Sequence, residues 1–169
     1  GDRTGLYSVR SAYQWRNHSN IQSQWPGRQI WKANIPYKVA CFVWLVIKRA
    51  CLTQDRLQRR GIHLCSLCLL CAKHAETNSH LFLHCRVTTQ LWDIFLARIG
   101  LSWTMPPNTL DVLNSWSRRG GTRGQKKTWK MIPGCIWWTI WKERNSRVFE
   151  NISNSIQKIK HNCIQLLHF

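Results

Sequence analysis

Apolar residues along most of the chain recur at helical spacing, and the elements they predict make a mainly α protein. A first short helix is expected around Val9, Ala12 and Tyr13, capped by Ser8, and a polar loop runs from Asn17 to Gly27. Trp25 and Trp31 flank the end of that loop and read as packing anchors. From Tyr37 to Lys48, Val39, Cys41, Phe42, Val43, Leu45 and Val46 make a helix apolar nearly all round, the pattern of a buried element and here of the main core helix. Pro36 suits its first turn, and Lys48 and Arg49 suit the negative end of its dipole. Thr53 caps a short helix from Gln54 to Arg60 that Gly61 closes in the left-handed conformation.

Further along, Leu91, Trp92, Ile94, Phe95 and Leu96 predict a helix from Thr88 to Arg98 stopped by Gly100. Met105-Pro106-Pro107 marks a linker, after which Thr109 caps a helix from Leu110 to Ser117. Trp129 to Glu150 reads as a long tryptophan-rich helix that Pro133 and Gly134 should kink or restart, with Trp137, Trp138, Ile140 and Trp141 covering the core. A last amphipathic helix, capped by Ser153, carries Ile156, Ile159, Cys163, Leu166 and Leu167 on its stripe. It suits either packing back on the domain or meeting a partner helix.

Composition adds a charge and a redox compartment. Lys and Arg total 25 against seven acids, a net charge of +18 that favours a polyanionic partner, nucleic acid first. Cys65, Cys68, Cys71 and Cys85 cluster, whereas Cys41, Cys51, Cys135 and Cys163 are scattered in apolar or helical settings. With no signal peptide, a metal site in a reducing compartment, nuclear or cytoplasmic, fits better than a disulfide scaffold. The opening Gly1-Asp2-Arg3-Thr4 reads as an internal cut. The apolar run from Met131 to Trp141 is far short of the ~20 residues that span a bilayer, so no membrane role is expected. We expect a connector (1–29), a zinc-binding region (30–92) and a helical extension (93–169) within the 169 residues.

The stretch that names its own chemistry runs from Cys68 to Cys85. Cys68 and Cys71 form a C-x2-C pair that sets two thiolates on one side of a metal, and His80 and Cys85 follow where a short helix capped by Ser79 can supply two more ligands. On an ideal helix positions five apart differ by about 140°, so Cys85 is placed at or just past the helix end. The leading set is Cys68, Cys71, His80 and Cys85. His84, one helical turn after His80, is the first alternative and Cys65, C-x2-C to Cys68, the second. His63 and His74 read as solvated loop residues and Cys41 as a packed thiol. Four protein ligands leave no position for water, which makes Zn2+ structural.

Cations concentrate in two places. Arg56, Arg59 and Arg60 lie along one face of the helix before the zinc stretch. Arg118, Arg119, Arg123, Lys126, Lys127 and Lys130 fall in a glycine-containing segment, 118–130, that reads as a flexible loop able to mould itself to phosphates. An enzyme is disfavoured, since the seven carboxylates between Asp2 and Glu150 suggest no cluster for two-metal nucleotidyl transfer and the YxDD signature of polymerases is absent.

The order Ile30-Trp31-Lys32, Ile35-Pro36-Tyr37-Lys38-Val39, Phe42-Val43-Trp44-Leu45, Leu52-Thr53-Gln54-Asp55-Arg56-Leu57, Arg59-Arg60-Gly61, C-x2-C, Glu76, His80-Leu81-Phe82, Cys85 and Leu91-Trp92 resembles the zinc-binding domain that follows the polymerase in plant non-LTR (LINE-type) reverse transcriptases. The resemblance begins near Tyr7 and covers roughly residues 7–92, and Trp138-Thr139-Ile140-Trp141-Lys142-Glu143-Arg144-Asn145 with Arg147-Val148-Phe149 is similar to the helix that follows it. It implies that the four leading ligands bind zinc and that the module handles nucleic acid, RNA or DNA, beside the reverse transcriptase domain of the same polyprotein. It does not imply polymerase activity. A protein-interaction scaffold that orients the polymerase is the rival expectation, favoured by the tryptophan excess.

Overall fold

A helix of 23 residues, with tryptophan on several of its faces, organises the protein. The computed structural model describes residues 26–116 and 123–167. The predicted helix at Ser8–Tyr13, most of the polar loop and Trp25 lie outside the described residues. In order, the helices are α1 (Gly27–Trp31), α2 (Tyr37–Ile47), α3 (Gln54–Gln58), α4 (Arg86–Ile99), α5 (Thr109–Trp116), α6 (Arg123–Asn145) and α7 (Ile156–Leu167). Two π-helical turns, His80–His84 and Ser146–Glu150, stand before α4 and after α6. Among the described residues the only β pairing is an isolated antiparallel bridge between Leu67 and Ala75.

The central helix is α6, not α2. It packs against α2, α4, α7 and both π turns. Met131 to Trp137 are buried on every side, as are Thr139 and Ile140. The helix runs through Pro133 without ending. α2 buries Val39, Ala40, Phe42, Val43, Val46 and Ile47, the i, i+3, i+4, i+7 stripe, while Trp44 and Leu45 are exposed. The expectation of burial all round fails there because α6 covers α2 along one stripe only. Pro36 stands just ahead of α2, and its carbonyl accepts the N–H groups of Val39 and Ala40.

Close contact between the two helices depends on Gly134. A Cβ built there meets Ile35 Cδ1 at 3.1 Å and Val43 Cγ2 at 3.2 Å. Gly134→Ala should be nearly neutral, because the crowding works against a helix-propensity gain of ~1 kcal/mol. Gly134→Leu should cost about 1–3 kcal/mol by overpacking, read as a lowered thermal midpoint in circular dichroism. A midpoint equal to that of the parent would mean the helices can move apart freely.

The other half of the core is aromatic. Trp116 and Trp129 stack with centroids 3.9 Å apart and planes within 4°. Each indole N–H donates to the other residue's carbonyl, at 2.8 and 3.0 Å. Trp92 and Trp103 each meet Trp116 edge-on at 5.3 Å. Phe42 and Phe82 join Trp137, Trp138 and Trp141 in a second cluster beneath the zinc-type stretch. These tryptophans fill the core, as their position in the sequence suggested. Trp31 does not: α1 is one turn long and buries Ile30, which turns Trp31 outward at 47 % exposure.

Helix ends follow the sequence closely but not always at the expected residue. Gly61 and Gly100 hold φ of +82° and +67°, and the bonds Ile62 N–H to Leu57 O and Leu101 N–H to Leu96 O close both helices in Schellman fashion. α5 is capped by Asn108, whose Oδ1 accepts the Asp111 N–H at 3.0 Å, and not by Thr109. Thr109 is buried, with its hydroxyl toward Asn78 and Val46. Ser155 rather than Ser153 caps α7, accepting the Lys158 N–H at 3.3 Å. α7 lies back along α6 with Ile159 and Cys163 buried, so the amphipathic stripe is used within the chain. Among the described residues no helix is long and apolar enough to cross a membrane.

Candidate metal centre

Cys68 and Cys71 sit on a tight loop pinned at its base. The Leu67–Ala75 bridge brings the two sides together. The Glu76 N–H donates to Ser66 O and the Cys68 N–H to His74 O, both at 2.8 Å. The Ala72 N–H returns to Cys68 O at 2.8 Å, which winds the C-x2-C segment into a single turn. Ala72 leaves that turn at φ +51°, a left-handed conformation that costs a residue with a Cβ roughly 1–2 kcal/mol.

The second pair of candidates depends on a departure from α geometry. The helical turn is capped by Thr77, whose hydroxyl accepts the His80 N–H at 3.1 Å, and Ser79 makes no cap. From His80 to His84 the backbone is π-helical, and the Cys85 N–H bonds His80 O at 2.7 Å, five residues back. Widening the turn brings positions five apart onto nearly the same face, which a 3.6-residue turn cannot do. Cys85 then leaves in extended conformation, with ψ of 135°, so that its thiol sits inside rather than beyond the turn. Leu81, Phe82 and Leu83 bury the rest of the turn against the core.

The donor atoms of Cys68, Cys71, His80 and Cys85 all lie within 4.8 Å of one another. Cys68 Sγ is 3.8 Å from Cys85 Sγ, and Cys71 Sγ is 3.3 Å from His80 Nε2. Zinc–sulfur and zinc–nitrogen bonds of about 2.3 and 2.0–2.1 Å put tetrahedral edges at roughly 3.8 Å between sulfurs and 3.5 Å between sulfur and nitrogen. Three thiols and an imidazole at these separations fit Zn2+ closely. His84 and Cys65 are exposed and stand outside this group, as do His63 and His74. Cys41 is half-buried on α2, and Cys51, Cys135 and Cys163 are buried thiols, each pushed up to about 12 mainly by burial.

Local electrostatics act differently on the candidate donors. The Cys68 thiol donates to Cys85, which raises the first thiol's pKa and lowers the second's. Backbone N–H groups of Leu70 and Cys71 toward Cys68, and of Val87 toward Cys85, favour the thiolate forms. Burial, with the positive fields of His74 and His84, lowers the pKa of His80 and keeps the imidazole in the neutral, ligating form.

Beneath the loop lies a contact that sequence reasoning missed. Glu76 is buried and its Oε1 accepts from Arg144 Nε and Nη2 at 3.2 and 3.0 Å, and from the Gln54 N–H at 3.2 Å. Its Oε2 accepts the Leu69 N–H, inside the C-x2-C turn, at 3.3 Å. One turn beyond Arg144, Arg147 Nη1 donates to the carbonyls of Leu69 and Leu70, each at 3.2 Å, while its Nε donates to buried Glu143 at 2.8 Å. The end of α6 therefore holds the loop that carries two candidate ligands. The available signal was Glu76, the one acid in the stretch from Cys68 to Cys85.

The candidate nucleic-acid residues are dispersed. Arg59 and Arg60 are exposed beyond α3, Arg56 is half-buried, and Arg59 pairs with Asp55 at 3.8 Å. Lys127 and Lys130 are exposed on α6. Arg123 and Lys126 have helical backbone in the same element, and Arg118 and Arg119 lie outside the described residues. From Arg123 onward the expected flexible loop is helix. Gln125, Lys126 and Lys127 are good helix formers, and the stacked Trp129 anchors the turn that follows them.

One comparison with known proteins falls on the region of the metal centre. The profile of the family described as zinc-binding in reverse transcriptase matches residues 7–92. A putative ribonuclease H protein of Arabidopsis thaliana is 24 % identical over 162 residues, which is 92 % of this chain and 26 % of that relative. The chain thus spans about a quarter of that relative's length. No solved structure matches. With the profile over half the chain and a Cys3His group inside it, the chain belongs to the family of zinc-binding domains of reverse transcriptases.

Proposed function

We propose that this chain is a non-catalytic accessory module of a non-LTR retroelement reverse transcriptase, binding nucleic acid through exposed cations on a zinc-held helical frame. The observation that carries this reading is the donor set of three thiols and an imidazole, four protein groups that would fill a tetrahedral zinc, in a chain of net charge +18. The retroelement context comes from the family and from the plant relative's name. The non-catalytic part is supported by the use already made of four of the seven acids. Glu76 and Glu143 are committed to Arg144 and Arg147, Asp55 to Thr53 and Arg59, and the Asp111 carboxylate to the Asn108 amide.

A salt titration of RNA and DNA binding tests the proposal. Replacing Arg118, Arg119, Arg123, Lys126, Lys127 and Lys130 together by Gln should flatten the log–log slope by roughly 3–5 units and weaken all sequences alike, at about −0.9 per phosphate on duplex DNA and −0.7 on single strands. A slope unchanged from the parent would remove this segment from the interface. The scaffold reading keeps one specific support: Ile62, Leu64, Leu67 and Leu69 are exposed in a row along the loop before and within the metal stretch. Binding of a reverse transcriptase domain that survives high salt, with no oligonucleotide binding, would favour it.

A further inference from the structure

The face formed by α1 and the start of α2 carries exposed aromatic rings and cations together. Trp31 and Tyr37 are 47 % and 76 % exposed, and their rings lie 5.8 Å apart with planes inclined at 31°. Both rings leave much of their surface in water, whereas Trp92, Trp116, Trp129 and Trp137 are buried. Lys32, which follows Trp31 in the chain, lines with Arg28, Lys130, Leu113 and Trp116 a cleft of about 200 Å³. All three cations are exposed, and no acid lines the cleft. No Asp or Glu occurs between Asp2 and Asp55, so α1 and α2 contribute no carboxylate to compete for these cations.

We infer that this face binds single-stranded nucleic acid, with bases stacked on Trp31 and Tyr37 and the adjoining phosphates held by Arg28, Lys32 and Lys130. Aromatic platforms beside a cationic groove are how sequence-tolerant single-strand binding is built, because every base has a π-face and the backbone a uniform charge. Paired bases in a duplex do not offer their faces, so the platform discriminates strand number while the cleft does not. A protein partner is a poorer match, since three converging cations without a carboxylate would need an acidic patch bearing no aromatic role. The inference rests on the nucleic-acid reading above and gives it a location distinct from the 118–127 segment, with Lys130 shared.

The experiment uses the full chain loaded with zinc, fluorescent single-stranded RNA and DNA, the matching duplexes, and a single strand carrying 2-aminopurine. Trp31→Leu/Tyr37→Leu should weaken single-strand binding by roughly 10-fold or more, leave duplex affinity within about twofold, and abolish 2-aminopurine quenching. Arg28→Gln/Lys32→Gln/Lys130→Gln should weaken both and flatten the single-strand salt slope by about 2 units. Both variants alter exposed side chains, and unchanged circular dichroism checks the fold. If the parent binds oligonucleotides and the aromatic variant binds and quenches as well as the parent does, this face is not the site. If it loses only binding to a reverse transcriptase domain, the face belongs to a protein. If the parent binds neither strand form, the broader reading fails and takes this one with it.

Discussion

Cys71→Ser is expected to melt the region from Leu52 to Trp92 and to strip the chain of tightly held zinc. A structural zinc site contributes roughly 10–16 kcal/mol in small finger peptides at neutral pH, comparable to or larger than the ~5–15 kcal/mol that most domains have in total. Here the loss would fall on a loop with few apolar contacts of its own: Cys68 and Leu70 are buried, but Leu67 and Leu69 are not. Chelation of the parent should reproduce the effect, and Cys85→Ala should match it, because Cys85 closes the π turn from the core side. His84→Ala should leave the metal in place, since that ring is exposed. Metal content by mass spectrometry, with thermal melts with and without chelator, reads all four. A parent whose melt ignores the chelator would refute a structural zinc.

The second large effect is expected at Arg144→Met. Removing one partner of a buried ion pair leaves the other charge uncompensated, at about 3–5 kcal/mol. Glu76 would be that charge, buried and still receiving the N–H groups of Gln54 and Leu69. The loss should spread to the metal, since the same carboxylate orders the C-x2-C turn through Leu69. The variant should therefore lower both the denaturant midpoint and zinc affinity, whereas Arg59→Met, which breaks an exposed pair, should change neither by much. A double replacement, Glu76→Gln with Arg144→Met, should recover part of the stability. If Arg144→Met melts like the parent, the ion pair contributes nothing.

Much of this architecture was legible in the chain. The stripe Val39, Phe42, Val43 and Val46, the left-handed stops at Gly61 and Gly100, and the grouping of the three thiols with His80 follow from periodicity and spacing that local physics enforces. What was not legible depended on partners distant in sequence. Leu45 looked as apolar as Val46, and only the placement of α6 leaves one outside. The segment from Arg123 to Lys130 has a loop's composition until Trp116 supplies the surface on which Trp129 stacks. The π turn was signalled by an awkward spacing between His80 and Cys85, but the spacing alone did not say whether the helix would end or widen. Glu76 and Arg144 could not be paired by any local rule.

That ion pair also sets an order of events in folding. Cys68 and Cys85 are 17 residues apart, whereas Glu76 and Arg144 are separated by 68. Loop closure grows costlier with separation, and contacts between distant residues form late. On a ribosome the metal's donors emerge together, well before α6 has been made. The nascent chain can thus take up its ion while Glu76 still faces water. Until the arginine arrives the carboxylate has no buried partner, so zinc would have to hold the loop without it while residues 86–144 are made.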